Sequence, residues 1–206
     1  MEQATEKDLS STEATRHEIL THAQDLFTYY GFNKTNIGDI AERCGMSPGN
    51  LYRYYRNKQA IGVSVVETYF DSVEAAMGTP LMFPEGTSEE RIRAFLEAGI
   101  KHLVDKLQIH PKIVELADFV CSDEEGIKVL DKHVAWKCAR LAEELEKGIQ
   151  RGELEPCHVE ATAKTICMSL KAFWMPMTIA QWRDPDTIMP EMRAILELMF
   201  RGLRAR

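Results

Sequence analysis

The sequence predicts an all-α fold of about nine helices, with a small N-terminal head and a larger C-terminal body. Apolar residues recur at spacings of three and four, and no stretch shows the sustained alternation of a strand. The 8 prolines and 12 glycines fall mostly between these periodic segments. With 206 residues, 45% of them apolar, the chain can bury a core without metal or disulfide.

Composition also excludes several classes of protein. No apolar run reaches the ~20 residues that cross a bilayer, and the polar, acidic start does not resemble a signal peptide. We therefore expect a cytoplasmic protein with no membrane partner. The five cysteines include no C-x-x-C pair, which argues against zinc ribbons and thioredoxin chemistry. The net charge of −7 disfavours the binding of nucleic acid only if the charge is spread evenly over the surface.

The head begins with two helices that end at glycines. The first is predicted to start near Ser10, which has capping-box spacing to Glu13, and to end at Gly31. The second starts near Thr35 or Asn36 and ends at Gly45. Apolar side chains at helical spacing mark their inward faces, namely Ile19, Ala23, Leu26, Phe27 and Tyr30 in the first and Ile37, Ile40, Ala41 and Cys44 in the second.

Ser47 and Pro48 open a third helix, because serine is a strong N-cap and proline fits the first helical position. Leu51 and Tyr55 point inward, and the helix ends near Asn57. A fourth helix runs from about residue 58 to 77, where glycine and two prolines break the chain. We predict a boundary between a head of 1–57 and a body of 58–206.

Five further helices are predicted in the body. They span about 88–109, 113–120, 122–152, 158–182 and 187–204. Ser122, with Glu125 three residues on, caps the long one, and Pro176 kinks the next. The last two are apolar around most of their circumference, which requires burial on more than one side. We expect a homodimer interface at Met168, Ala172, Leu196 and Phe200, the alternative being central burial in a monomer.

The stretch 31–58 carries the functional signal. Two short helices joined by a glycine-containing turn, after a longer supporting helix, describe a helix-turn-helix. The second helix of that motif enters the DNA major groove. From Arg43 to Lys58 there are four positive charges and no acidic side chain. A basic, tyrosine-rich surface helix in an ordinary bundle is the alternative reading.

Each predicted DNA-binding residue has a chemical reason. Asn50 can pair with an adenine edge, and Arg53 can donate two hydrogen bonds to guanine for about 1–3 kcal/mol of discrimination. Gly49 permits close backbone approach, while hydroxyls and the ammonium of Lys58 suit phosphate oxygens. The full set is Thr35, Ser47, Pro48, Gly49, Asn50, Tyr52, Arg53, Tyr54 and Lys58.

These residues make the segment 15–66 resemble the DNA-binding head of the TetR family of bacterial transcriptional regulators. The matching positions are Leu26-Phe27, Gly31-Phe32, Ile40-Ala41, Gly45, Ser47, Gly49, Leu51-Tyr52, Tyr55 and Asn57-Lys58. The resemblance implies phosphate contacts at Thr35, Tyr52, Tyr54 and Lys58, and base contacts at Pro48, Gly49, Asn50 and Arg53. Two positions depart from the family pattern: Tyr55 replaces the usual phenylalanine, and Tyr54 a frequent histidine.

The resemblance further implies an Ω-shaped homodimer with a four-helix interface, a ligand cavity in the body, and repression relieved by the ligand. The partners are then a pseudo-palindromic double-stranded operator and a small-molecule effector. Aromatic residues and methionines in the body favour a largely apolar effector, although each one individually suits core packing as well. The predicted pocket residues are Phe95, Phe119, Trp136, Phe173 and Met177.

Other chemistries have weaker support. The histidines at 102, 110 and 133 show no ligand-pair spacing, so we predict no metal and no cofactor. A redox role for Cys44 or Cys121 would require an exposed thiol of low pKa. No P-loop, G-x-S-x-G or H-E-x-x-H motif occurs, and we expect no enzyme. The alternatives are a dimeric helical adaptor that binds a protein or polyanion without reading sequence, and an all-α enzyme with an unrecognised site.

Overall fold

The computed structural model describes residues 2–82, 85–181 and 187–205, with side chains from residue 11 onward and without those of 180 and 181. The described chain forms ten α-helices and one short 3-10 helix at Lys171–Trp174. The helices are α1 Glu2–Tyr30, α2 Ile37–Arg43, α3 Pro48–Leu51, α4 Lys58–Met82, α5 Ser88–Ile109, α6 Ile113–Ser122, α7 Glu124–Gln150, α8 Val159–Ser169, α9 Pro176–Gln181 and α10 Ile188–Arg201. Within those ranges no strand occurs, which confirms the all-α prediction.

Contacts divide the chain into two compact units. Unit 1 comprises Met1–Tyr69 and His110–Ile127, so it contains α1–α3, the start of α4, and α6. Unit 2 comprises Phe70–Ile109 and Lys128–Arg206. The division into a DNA-binding part (1–57) and an effector-binding part (58–206) concerns function and stays a prediction.

Several helix ends differ from the predicted ones. α1 begins at Glu2 because the residues before Ser10 are mostly good helix formers and none of them stops a helix. α4 continues past Gly78 to Met82, with Pro80 in its last turn. The lost hydrogen bond therefore falls where the helix is ending anyway.

The caps of the C-terminal helices also differ. Ser122 is the last residue of α6, and its hydroxyl donates to the Phe119 carbonyl at 2.8 Å. Asp123 caps α7 instead, since its Oδ1 accepts from the Gly126 N–H at 3.0 Å. Pro176 does not kink a long helix: α8 stops at Ser169, and Pro176 is the first residue of α9, where proline fits best.

Each unit has its own apolar core. In unit 1 the fully buried side chains come from α1 to α4 and from α6, and they include Ile19, Phe27, Ile40, Leu51 and Ile61. In unit 2 they include Phe95 and Leu96 of α5, Leu145 of α7, Leu170 directly after α8, and Met192 of α10. The stripes predicted from helical spacing are mostly the buried faces of these helices. Tyr30 is the exception: it is the last residue of α1 and is 52% exposed, while Ile37 and Cys44 are half-buried.

The predicted dimer surface is corrected at two positions. Leu196 and Phe200 are 0% exposed within the single chain, and the Arg93 guanidinium of α5 lies 5.1 Å from the Phe200 ring centroid. Neither side chain can reach a partner, because both belong to the core of unit 2. Met168 is 59% exposed and Ala172 is also exposed, and their place in an interface stays a prediction.

Candidate nucleic-acid interface

The helix-turn-helix of unit 1 is fixed by local caps. Asn36 Oδ1 accepts from the Asp39 N–H at 3.0 Å, and Asp39 Oδ2 accepts from the Asn36 N–H at 2.8 Å, which completes a capping box before α2. Gly45 then takes φ +65°, a left-handed conformation that glycine adopts without strain. The turn and both helix starts thus follow from residues within a few positions of each other.

α3 is short, but its helical hydrogen bonds continue beyond Leu51. Ser47 Oγ caps it by accepting from the Asn50 N–H at 3.2 Å, and Pro48 occupies the first position, as predicted. The Tyr55 N–H still donates to the Leu51 carbonyl at 3.1 Å. Leu51 is fully buried and Tyr55 is 5% exposed, so these two side chains pack α3 against the rest of unit 1.

The opposite side of α3 faces solvent. Pro48, Gly49 and Arg53 are exposed, and Tyr52 is 53% exposed. Arg56, just beyond the helical turns, is exposed as well, while Asn50 and Tyr54 are half-buried. This surface, which we call the α3 face, offers cations, an amide and hydroxyls together. Contact of these residues with DNA stays a prediction.

Two residues predicted to contact phosphate, Thr35 and Lys58, lie outside the α3 face and bond to backbone carbonyls of unit 1. Thr35 is 2% exposed, and its hydroxyl donates to the Gly31 carbonyl at 2.9 Å, so the buried side chain cannot reach a phosphate. The half-buried Lys58 ammonium donates to the carbonyls of Phe32 (2.8 Å) and Thr35 (3.0 Å) and lies 4.5 Å from the Phe32 ring centroid. Burial lowers the Lys58 pKa, and the charge of Glu115 opposes that shift. Lys58 therefore ties α4 to the loop before α2.

Glu115 of α6 contacts the same loop, and Lys112, just before α6, contacts the end of α1. Sequence reasoning selected neither residue. Glu115 Oε2 accepts from the Asn33 N–H at 3.1 Å, and Lys112 Nζ donates to the Tyr30 carbonyl at 3.3 Å. Phe119, predicted to line an effector pocket, stacks on Phe32 with ring centroids 4.4 Å apart. It is thus part of unit 1, and its place in an effector pocket stays a prediction. No local pattern marks these contacts, because the partners lie more than eighty residues apart.

The Lys58→Met variant distinguishes a structural role of Lys58 from a role in phosphate contact. We expect it to lower the free energy of unfolding by about 2 kcal/mol, because two charge-assisted hydrogen bonds are lost. The slope of log K for DNA against log salt should stay unchanged, since a phosphate contact would add about 0.9 to it. Chemical unfolding and fluorescence anisotropy at several salt concentrations measure both quantities. Lys34→Met, at an exposed position, is the control for stability; a smaller slope at full stability would restore the phosphate role to Lys58.

The other predicted pocket residues lie in unit 2. The Phe95 and Trp136 rings have centroids 5.7 Å apart, Phe173 is 4% exposed, and Met177 is 39% exposed. Close by, the His133 Nδ1 is 2.8 Å from Glu74 Oε1. Burial, together with the Lys137 charge, lowers the His133 pKa to about 3, so the neutral ring donates its N–H to the carboxylate.

The surroundings of Cys44 bear on the redox alternative. Burial and the nearby Glu18 raise the Cys44 pKa, which disfavours the reactive thiolate. Among the described residues no three histidine, cysteine or acidic side chains are grouped so that they could hold a metal. In the same part of the chain, no helix combines the length and hydrophobicity that a membrane span requires.

Comparison with known families identifies the chain. Residues 19–64 match the profile described as bacterial regulatory proteins of the tetR family. Residues 88–195, more than half of the chain, match the tetracyclin repressor-like C-terminal domain. The chain belongs to the TetR family. It is therefore a DNA-binding transcriptional regulator with a helix-turn-helix, as the resemblance of residues 15–66 predicted.

Individual transcriptional regulators are similar to most of the chain. The HTH-type transcriptional repressor NemR of Escherichia coli K12 is 25% identical over 145 residues, which cover 69% of this chain and 73% of NemR. A regulator structure from Cytophaga hutchinsonii has a TM-score of 0.74 at 16% identity and covers 91% of this chain and 97% of its own. A TetR-family structure from Mesorhizobium loti has a TM-score of 0.70 at 16% identity and covers 94% of this chain and 98% of its own. At these identities the solved structures show the fold alone.

Proposed function

We propose that this TetR-family regulator is a homodimeric repressor that acts in the cytoplasm. Its α3 face would read a pseudo-palindromic operator, and a small, largely apolar effector bound in unit 2 would release it. No catalytic step is part of the proposal. The observation that carries it is the exposure of Arg53 and Tyr52 on a short helix whose other side is anchored by buried Leu51 and Tyr55.

The side chains of the α3 face suit both kinds of DNA contact. Arg53 can donate two parallel hydrogen bonds to guanine O6 and N7, and Asn50 can pair with adenine. The Tyr52 and Tyr54 hydroxyls are suited to phosphate oxygens, which fix register without reading sequence. The exposed basic groups of 43–56 provide local positive charge in a chain whose net charge is −7. That net charge would otherwise oppose DNA binding.

A homodimer supplies the symmetry that a pseudo-palindrome requires. Two recognition helices must then enter successive major grooves, roughly 34–36 Å apart on one face of the duplex. An effector releases the operator only if it binds more tightly to a state whose helices no longer have that spacing. The NemR relative is named a repressor, and we extend that role to this chain as part of the proposal.

Two substitutions at Arg53 test sequence readout. On DNA from upstream of its own gene, Arg53→Ala is expected to lose at least tenfold in affinity, because one bidentate base contact contributes about 1–3 kcal/mol. Arg53→Lys keeps the charge but not the planar fork, so it should lose cognate affinity while it keeps its salt dependence. Fluorescence anisotropy against cognate and scrambled duplexes measures both effects.

Arg151→Ala, at an exposed position of unit 2, is the control and should bind the operator like the unmodified protein. Equal weakening on cognate and scrambled DNA by Arg53→Ala would instead favour the adaptor that binds polyanions without reading sequence. Absence of salt-sensitive, competitor-resistant binding by the unmodified chain would contradict the proposed function itself.

A further inference from the structure

Unit 2 contains a buried ammonium that lacks the usual partners. Lys137 of α7 is 4% exposed, and its Nζ lies 4.0 Å from the ring centroid of Trp174. The hydrogen bonds found in the described part of the chain include none from this ammonium. A buried charge whose main contact is an aromatic face is expensive, because the ring replaces little of its hydration.

The same tryptophan has an unpartnered donor. The Trp174 Nε1–H is buried and has no hydrogen-bond acceptor among the described residues. The ring is held firmly, since a Cβ at Gly99 would lie only 2.6 Å from Trp174 Cη2 and glycine alone leaves that room. Buried donors in native proteins are nearly always paired. The Trp174 N–H, next to an ammonium that has no hydrogen bond among the described residues, therefore indicates a missing acceptor.

The surroundings limit what that acceptor can be. Phe70, His133 and Trp136 have nearly parallel rings, at 11° and 9° for successive pairs, and Phe95 lies beside Trp136. Flat apolar groups suit such neighbours. Glu74 adds a negative charge that acts on Lys137, although one of its oxygens is hydrogen-bonded to His133. One ammonium opposite one resident carboxylate can accommodate a monoanion better than a dianion.

We propose that Lys137 and the Trp174 indole N–H bind the carboxylate of a small, flat monocarboxylic acid. This acid would be the effector, an inference that rests on the proposed function. The ammonium and the N–H would each donate to a carboxylate oxygen, and the apolar part of the acid would lie among the aromatic rings. Both orphan donors are then satisfied by one ligand.

Titration gives the site a signature. Burial lowers the Lys137 pKa to about 8, and the ammonium must be charged to hold the acid. Affinity should therefore fall roughly tenfold between pH 7 and pH 9, where most of the lysine is neutral. The other titratable groups around Lys137 are Glu74 of α4, His133 and Cys138 of α7, and Cys167 of α8, whose pKa is raised to about 12 by burial.

Calorimetric titration of the full chain with benzoate, phenylacetate and cinnamate tests the inference. We expect at least one acid to bind, with benzamide and phenyl phosphate at least tenfold weaker. Lys137→Met and Trp174→Phe should each weaken the binding of that acid at least tenfold. Lys137→Met should also abolish the pH dependence of binding. Lys101→Met, at an exposed position of the same unit, should behave like the unmodified protein. Binding that is unchanged in Lys137→Met, or no binding by any of the three acids, would overturn the inference.

Stability distinguishes a binding residue from a structural one. Lys137→Met should leave the melting temperature of the free protein unchanged or raised, because an unpaired buried charge is replaced by an apolar chain. A clearly lower melting temperature would show that Lys137 stabilises the fold and would overturn the inference.

Operator binding separates this inference from the proposed function. Lys137→Met should bind the operator normally, and the bound acid should weaken operator binding by the unmodified protein at least tenfold. If the acid binds through Lys137 and operator affinity does not change, its role as effector is wrong. If the acid binds and no DNA is bound at all, the proposed function fails while the acid site stands.

Discussion

Leu196→Glu is expected to unfold unit 2 rather than to separate two folded subunits. The Leu196 side chain is 0% exposed within one chain, so the carboxylate would enter the packed seam between α10 and α5. Loss of the buried leucine alone costs about 2–5 kcal/mol, and an unpaired charge adds to that cost. We therefore expect a loss of at least ~4 kcal/mol, seen as a collapse of the urea midpoint followed by circular dichroism.

Leu198→Glu is the matched control, since Leu198 is on the same helix but 69% exposed. Its free energy of unfolding per subunit should change by no more than ~0.5 kcal/mol. Light scattering on this variant also tests the dimer prediction, because a charge on the outer side of α10 would separate subunits that meet there. A folded Leu196→Glu protein of normal stability would contradict the placement of α10.

Glu144→Gln is expected to have the second largest effect. Glu144 Oε1 accepts from Arg91 Nε at 2.7 Å and from the Ser88 hydroxyl at 3.0 Å, and all three residues are buried. The glutamine removes the negative charge at Glu144, while the buried Arg91 guanidinium keeps its positive charge. Breaking one side of a buried ion pair costs about 3–5 kcal/mol, which chemical unfolding should detect directly.

Glu143→Gln provides the comparison, because Glu143 forms an exposed pair with Arg140 at 2.7 Å. Exposed pairs contribute about 0–1 kcal/mol, so Glu143→Gln should change the free energy of unfolding little. The double variant Arg91→Met/Glu144→Leu should recover much of the stability, since it removes both charges together. Equal losses in Glu143→Gln and Glu144→Gln would show that the pair at 144 is not shielded from water.

The features of the head that sequence reasoning predicted are those determined locally. Ser47 and Pro48 open α3 through contacts within three residues, and Gly45 ends the previous helix through its own backbone freedom. Which residues of α3 face inward follows from helical spacing as well. The family assignment depended on this segment, and the match of residues 19–64 confirms it.

Features that depend on distant residues could not be predicted in the same way. The pattern identifies Lys58 as a cation at a helix start, but only folding brings the Phe32 carbonyl within 2.8 Å of it. Likewise, α10 has apolar residues on several sides, and spacing alone does not show which side packs inside. The buried side includes Leu196 and the exposed side Leu198, a distinction that depends on where α5 lies.

The discontinuity of unit 1 has a consequence for how the chain folds during synthesis. The ring of Phe119 covers Phe32, and Glu115 holds the backbone of Asn33, yet all of 70–109 is translated between these partners. A nascent chain that stops at residue 69 would leave that aromatic surface open to water. We therefore expect the head to reach its final stability only after α6 has left the ribosome, and an excised 1–69 fragment to be less stable than the same residues in the whole protein.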